Sequence, residues 1–239
     1  MGLENPLDAD TAWSQVLEAN VTANGRVDFA CLDQNRGNLD SYISYVARVS
    51  PHTHPEAFPT PDHVLAYHLN TYNALAMHNV LEFDIPQALE GFFYRLRFFY
   101  LKKKHLGGRK ISLYHYENDV IRPLGDPRVH FALNCMAVSC PRLPQTPFTA
   151  ERLDADLERL TREFFADHEH LKIEHDKQRI RVSEILDFYP EDFLAESDSL
   201  AAYVNRYVDE SIPATYDTVF FDYDWTVNAV TDSSCSLAD

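Results

Sequence analysis

A chain of 239 residues, 45% hydrophobic and 24% charged, can bury a core of its own and is sized for one large domain or two small ones. Its 37 acidic against 21 basic residues, a formal charge of −16, argue against nucleic acid, whose phosphates need a basic surface, and less strongly against an anionic membrane surface. Nothing approaches the ~20 apolar residues of a membrane span, and four cysteines are too few for a disulfide scaffold, leaving a single 135–140 bridge open.

The opening MGLENPLDADTAW has neither the basic n-region nor the apolar h-region of a signal peptide, and Pro6 stands where a myristoylation motif wants Ser or Thr. The compartment stays open between the cytoplasm and a mature exported form. Asp10 and Thr11 offer caps for a helix over 12–21. GRVDFACL sets Val27, Phe29 and Cys31 in alternation with Asp28 and Ala30, which predicts a short strand. NLDSYISYVARV predicts a second helix closed by Pro51, and the proline-rich 51–63 predicts a loop. Leu65, Leu69, Tyr72, Ala76 and Val80 predict the longest helix, over 62–83; Asn70, Asn73 and Met77 form a second stripe, where asparagines need partners if buried. FFYRLRFFYLKKKHLGGRK predicts a helix that packs its rings and lets its lysines snorkel.

ISLYHYENDVIRPLGDP predicts another helix, with Ser112 three residues before His115 and Pro123 ending it, and RVHFALNC reads as a β-like run. Thr149 can cap a helix whose apolar face is Leu153, Leu157, Leu160 and Phe164. HLKIEHDKQRIRVS predicts a hairpin turning at 175–178. SEILDFYPEDF predicts a short helix stopped near Pro190, Leu200 to Val208 an amphipathic helix, DTVFFDYDWTVN a final strand, and 232–239 a loose tail. With no repeat and no linker, and with helices early and strands late, the order predicts one α+β domain over 1–239.

The chemistry concentrates in HFALNCMAVSCP, where His130, Cys135 and Cys140 fall within eleven positions. If Pro141 opens a helix, Cys140 sits at its cap, where N–H groups and the macrodipole favour a thiolate. His130 is the natural base. On a strand it shares a face with Arg128, Ala132 and Asn134, while Cys135 points away, so Cys140 beyond the turn is the better nucleophile and Cys135 the alternative. A catalytic histidine needs an orienting group; Glu117 is the candidate, with Asn134, Asp126 and Asp119 competing. The bland alternatives are a small buried cysteine and a hydrogen-bonded core histidine. His-x4-Cys-x4-Cys lacks the short cysteine spacing of a structural zinc site, and 135–140 is not the CxxC of a redox motif. No metal, no cofactor and no glycine-rich phosphate loop is expected.

Together with GRVDFACL, AYHLNTYNAL, ISLYHYENDVIRP, DPRVHFALNCMAVSCPRL and YDWTVN, this cluster resembles the family known as domain of unknown function 547. The resemblance implies a papain-like cysteine-peptidase fold in rearranged element order, with helices packed on a small antiparallel sheet. It also implies a Cys–His–Glu triad on Cys140, His130 and Glu117. Where the family has an aromatic before the Asn70-x-Tyr72-Asn73 core, this chain has Tyr67-His68.

The expected function is a thiol hydrolase or peptidase acting on an amide or ester, its substrate a peptide or small amide. Cys135, Asn70 and Asn73 are the oxyanion or substrate candidates, Tyr72 gives structural support, and Arg128 holds its loop through a carboxylate such as Asp126. The alternative is a non-catalytic domain that keeps a peptidase-like scaffold and binds a protein partner.

Overall fold

The computed structural model of the chain describes residues 6–233 and Cys235. Helix α1 (Pro6–Asn20) buries Ala9, Trp13, Val16 and Leu17, the helical spacing of one face, against α3 (Gly37–Val46). Between them GRVDFACL makes a helix, not a strand. Asp28 accepts from the Cys31 N–H and caps α2 (Phe29–Gln34), and only Val27 makes isolated bridges, to Val21 and Ala229. An Asp before an apolar run was a cap signal that the short alternation hid.

Helix α4 (Pro61–Glu82) starts from a Thr60 cap with Pro61 in its first turn, and it is buried on every side from Leu65 to Met77. A helix buried all round lies in the middle of a core, and its polar residues, His68, Asn70, Thr71 and Asn73, are buried with it. The aromatic segment then forms α5 (Phe92–Arg95), which runs into a π-helical stretch, Leu96–Leu101. Its lysines do not continue the helix. They form the hairpin β1 (Lys103–Leu106) and β2 (Arg109–Ser112), turning at Gly107-Gly108. Gly107 has φ +52°, and a Cβ there would meet the Ser50 side chain, so two constraints favour glycine in this turn. Ser112 caps α6 (Leu113–Tyr116), which continues as a π-helical turn, Glu117–Ile121.

RVHFALNC is not a strand. Asp126 accepts from the Arg128 N–H, and Pro127–Phe131 is a 3-10 helix. Its apolar residues do not share one face. Val129, Ala132 and Leu133 pack into the core around α1, α3 and α4, while Phe131 packs into a second core. The segment lies between the two and is buried on both faces.

The second core gathers α7 (Leu153–Ala166), β3 (Leu171–Glu174), β4 (Arg179–Val182), α8 (Ile185–Phe188), α9 (Pro190–Leu194) and α10 (Leu200–Val204). Arg152, not Thr149, holds the cap position of α7, without a side-chain bond. β3 and β4 pair antiparallel, but β5 (Asp217–Phe220) joins β4 in parallel, with Arg179 opposite Asp217. The described elements are therefore mixed helix and sheet, with one two-stranded and one mixed three-stranded sheet, not one antiparallel sheet.

The end of the chain is tied down. Cys235 is bridged to Cys31 over a sequence separation of 204, while Cys135 and Cys140 are free thiols. The loose tail expected over 232–239 is thus anchored at Cys235; residues 234 and 236–239 lie outside the described residues. Closing so long a loop restricts the unfolded chain, and Cys31→Ser is expected to lower unfolding stability by about 2–4 kcal/mol. Chemical denaturation measures this; an unchanged midpoint would mean that the bridge constrains nothing.

Candidate active site

A cavity of about 750 Å³ lies where the two cores meet, and Glu117, His130, Cys135 and Cys140 all line it. The loop carrying the cysteines is shaped by asparagines. From α4, the Asn73 side chain donates to the Ala132 carbonyl and accepts the Asn134 N–H at 2.8 Å. Asn134 in turn donates to the Pro141 carbonyl and accepts the Met136 N–H, both at 2.7 Å. One side chain therefore closes the loop from 135 to 141, while Met136 sits at φ +71° in its bend. The C-terminal segment seals the outside: Ser139 donates to the Asp224 carbonyl, Val138 to Thr226, and Asn228 to Met136. That clamp brings Tyr223 over the sulfurs.

No helix begins at Pro141. The donors around Cys140 come from elsewhere. The Cys135 N–H points at Cys140 Sγ from 3.1 Å, and the Tyr223 hydroxyl lies 3.2 Å from the same sulfur and 3.6 Å from Cys135 Sγ. Burial pushes the Cys140 thiol up, but the hydrogen bonds from Cys135 and Tyr223 outweigh it and leave Cys140 below the ordinary thiol value. The bond it gives to Cys140, and then burial, hold Cys135 well above that value. Burial also keeps Tyr223 a phenol, free to donate. Of the two sulfurs, Cys140 is the one whose surroundings favour the thiolate, and Cys135 the one held as a thiol.

His130, its side chain 1% exposed, is stacked on Tyr189 with ring centres 4.2 Å apart. Its Nδ1 faces Glu117 at 4.0 Å, at the outer edge of an ion pair. Its Nε2 is hydrogen-bonded to Asp192 Oδ2 at 2.7 Å, a contact that sequence reasoning did not weigh. Asp192 is itself clamped by Arg122, at 2.7 and 2.9 Å. Burial raises the Asp192 carboxyl, but His130 and Arg122 outweigh it and hold the carboxylate well below its usual range. Among the described residues, no hydrogen bond joins His130 to either sulfur.

Glu117 accepts from the Tyr72 hydroxyl at 2.9 Å, so Tyr72 reaches the site through this carboxylate. Asn70 and Asn73 are not part of the cavity wall. Asn70 accepts from the Trp13 indole and the Phe148 N–H and donates to the Phe148 carbonyl. Both asparagines pin backbone instead of facing a substrate. Arg128 lies away from the cavity, paired with Asp126 and Asp154 at 2.8 Å each, and Asp126 is thereby committed to its loop. His68 is bonded to the Tyr116 hydroxyl, and burial lowers it to about 4, so it is a neutral core histidine. Among the described residues, no group of three or more His, Cys, Asp or Glu side chains is arranged to hold a metal ion, and no helix is long and apolar enough to cross a membrane.

Residues 57–165 match the family described as "Protein of unknown function, DUF547". The match spans α4 to α7 and includes Glu117, His130, Cys135 and Cys140, but not Asp192 or Tyr223. No curated protein and no solved structure matches the chain.

Proposed function

We propose that the protein is a thiol hydrolase acting on an amide or ester, with Cys140 as nucleophile and His130 as acid–base. The observation that carries this reading is the pair of donors on Cys140 Sγ, the Cys135 N–H at 3.1 Å and the Tyr223 hydroxyl at 3.2 Å, in a cavity that His130 also lines. A thiolate is the reactive form, and these donors favour it. Attack on a carbonyl carbon places the developing oxyanion beside the sulfur, where the same N–H and hydroxyl stand. One such donor is worth roughly 2.7–4 kcal/mol in comparable sites.

Asp192 occupies Nε2, so Nδ1, on the Glu117 side, is the nitrogen left to exchange a proton with sulfur and leaving group. Two carboxylates around one ring stabilise the imidazolium that this step forms. The resemblance to the DUF547 family, which implies a papain-like fold, supports the same chemistry and the Cys140–His130 pair. In this geometry Asp192, on Nε2, takes the orienting role expected of Glu117, and Glu117, 4.0 Å from Nδ1, adds a second negative charge beside the ring.

An activated ester tests the reading. Incubation with p-nitrophenyl acetate is expected to acetylate Cys140, seen by peptide mass mapping. The adduct should turn over in the parent protein and accumulate in His130→Ala, where deacylation lacks its base. Acetylation confined to lysines would leave an inert interaction domain.

A dithiol redox pair is the second reading, favoured by the Tyr223 hydroxyl shared between the two sulfurs. It predicts an intact mass two hydrogens lower after mild peroxide treatment, with ester turnover absent in the reduced protein.

A further inference from the structure

We infer that the outer face of the Phe92–Leu101 helical stretch docks on an anionic lipid bilayer. The three most exposed large apolar side chains of the described residues lie in this stretch: Phe93 is 82% exposed, Phe92 69% and Leu101 64%. Phe93, Arg97 and Leu101 follow one another at helical spacing, and Arg97 is exposed with them. The opposite side is firmly seated, since Phe98 is fully buried against Phe83 with ring centres 5.2 Å apart. Helix stability therefore does not depend on the outer rings, which project from a fixed base.

Charge identifies the occupant. Residues 91–116 contain seven of the chain's 21 lysines and arginines and none of its 37 acids. Lys102 and Lys104 pair with Glu82, and Arg95 and Arg97 lie over the Trp225 and Phe83 rings. Lys103 and Lys110 are exposed and have no carboxylate partner among the described residues. In a molecule of net charge −16, this acid-free stretch faces an anionic surface favourably, and the surplus of acids elsewhere orients the molecule away from it. Whole-chain charge conceals this local reversal.

Aromatic and aliphatic side chains flanked by cations are the composition of an interfacial anchor. Phe92 and Phe93 project outward, so a fluid bilayer can accept them without matching their shape, as a protein partner would have to. The same stretch gives Arg95, Phe99 and Tyr100 to the cavity wall, so the docking segment also borders the cavity. Docking itself does not depend on the hydrolase reading.

Co-sedimentation with vesicles tests the inference. Vesicles of phosphatidylcholine with phosphatidylglycerol are expected to carry down at least tenfold more protein than phosphatidylcholine alone, with the excess lost in high salt. Phe92→Ser/Phe93→Ser/Leu101→Ser should abolish the binding. Lys103→Gln/Lys110→Gln should weaken it while leaving the thermal melt unchanged, which covers the case in which the triple variant does not fold. Equal recovery on both vesicle types, or binding unaffected in a folded charge variant, would overturn the assignment. So would capture of the same face by polyglutamate with no vesicle binding.

Discussion

Replacing Cys140 by serine is expected to lower hydrolysis of an activated ester by at least ~10³-fold, because an alcohol in that place is not ionised near neutral pH. The surroundings suit sulfur: a backbone N–H and the Tyr223 hydroxyl lie within hydrogen-bond reach of Cys140 Sγ and favour its thiolate. Cys135→Ser should change the rate by no more than about tenfold, since serine keeps an O–H donor beside Cys140. Tyr223→Phe removes one donor without altering packing, and should both slow turnover and raise the Cys140 titration. If Cys135→Ser is the inactive variant, the roles of the two sulfurs are reversed.

Phe131→Ala is expected to cost about 3–5 kcal/mol of stability, or roughly 6–20 °C in melting temperature. Phe131 is wholly buried, and its ring lies 4.8 Å from Phe164, 5.1 Å from Phe165 and 5.8 Å from Phe193. Its neighbours Val129 and Ala132 belong to the other core, so truncation loosens the junction as well as opening a cavity. His130 stands on that junction, and Phe193 packs against its ring with centres 5.3 Å apart. Reactivity of Cys140 should therefore fall with stability. Calorimetry and ester turnover on one sample measure both; a loss under 1 kcal/mol would mean that the two cores are not joined through this ring.

What the sequence disclosed follows from how local each signal was. Helix α4 announces itself because its apolar residues repeat over 22 positions. His130, Cys135 and Cys140 stand out because such residues are few and close together. The strand expected over RVHFALNC failed because the residues on its apolar face part company: Val129 and Leu133 pack into one core and Phe131 into the other, which a 3-10 turn allows and a sheet face does not. Its Asp126-Pro127 start carried the helix-cap signal that alternation outweighed. Asp192 and Tyr223 were not legible. They reach the site from 62 residues after His130 and 83 after Cys140, in a chain rich in acids and tyrosines. The Cys31–Cys235 bridge was hidden for the same reason, since only folding brings its ends together. Asn70 and Asn73 drew attention as polar residues in an apolar helix. The inference that they need partners holds, but those partners are backbone groups.

The pH dependence of alkylation, followed separately at each cysteine by peptide mass mapping of the reduced protein, tests the central claim most directly. Cys140 should react with an inflection below that of an ordinary thiol, ~8.5, and well before Cys135, and Tyr223→Phe should move the Cys140 inflection upward. Ionisation of Cys135 first, or a Cys140 profile no different from that of a free thiol, would contradict the account.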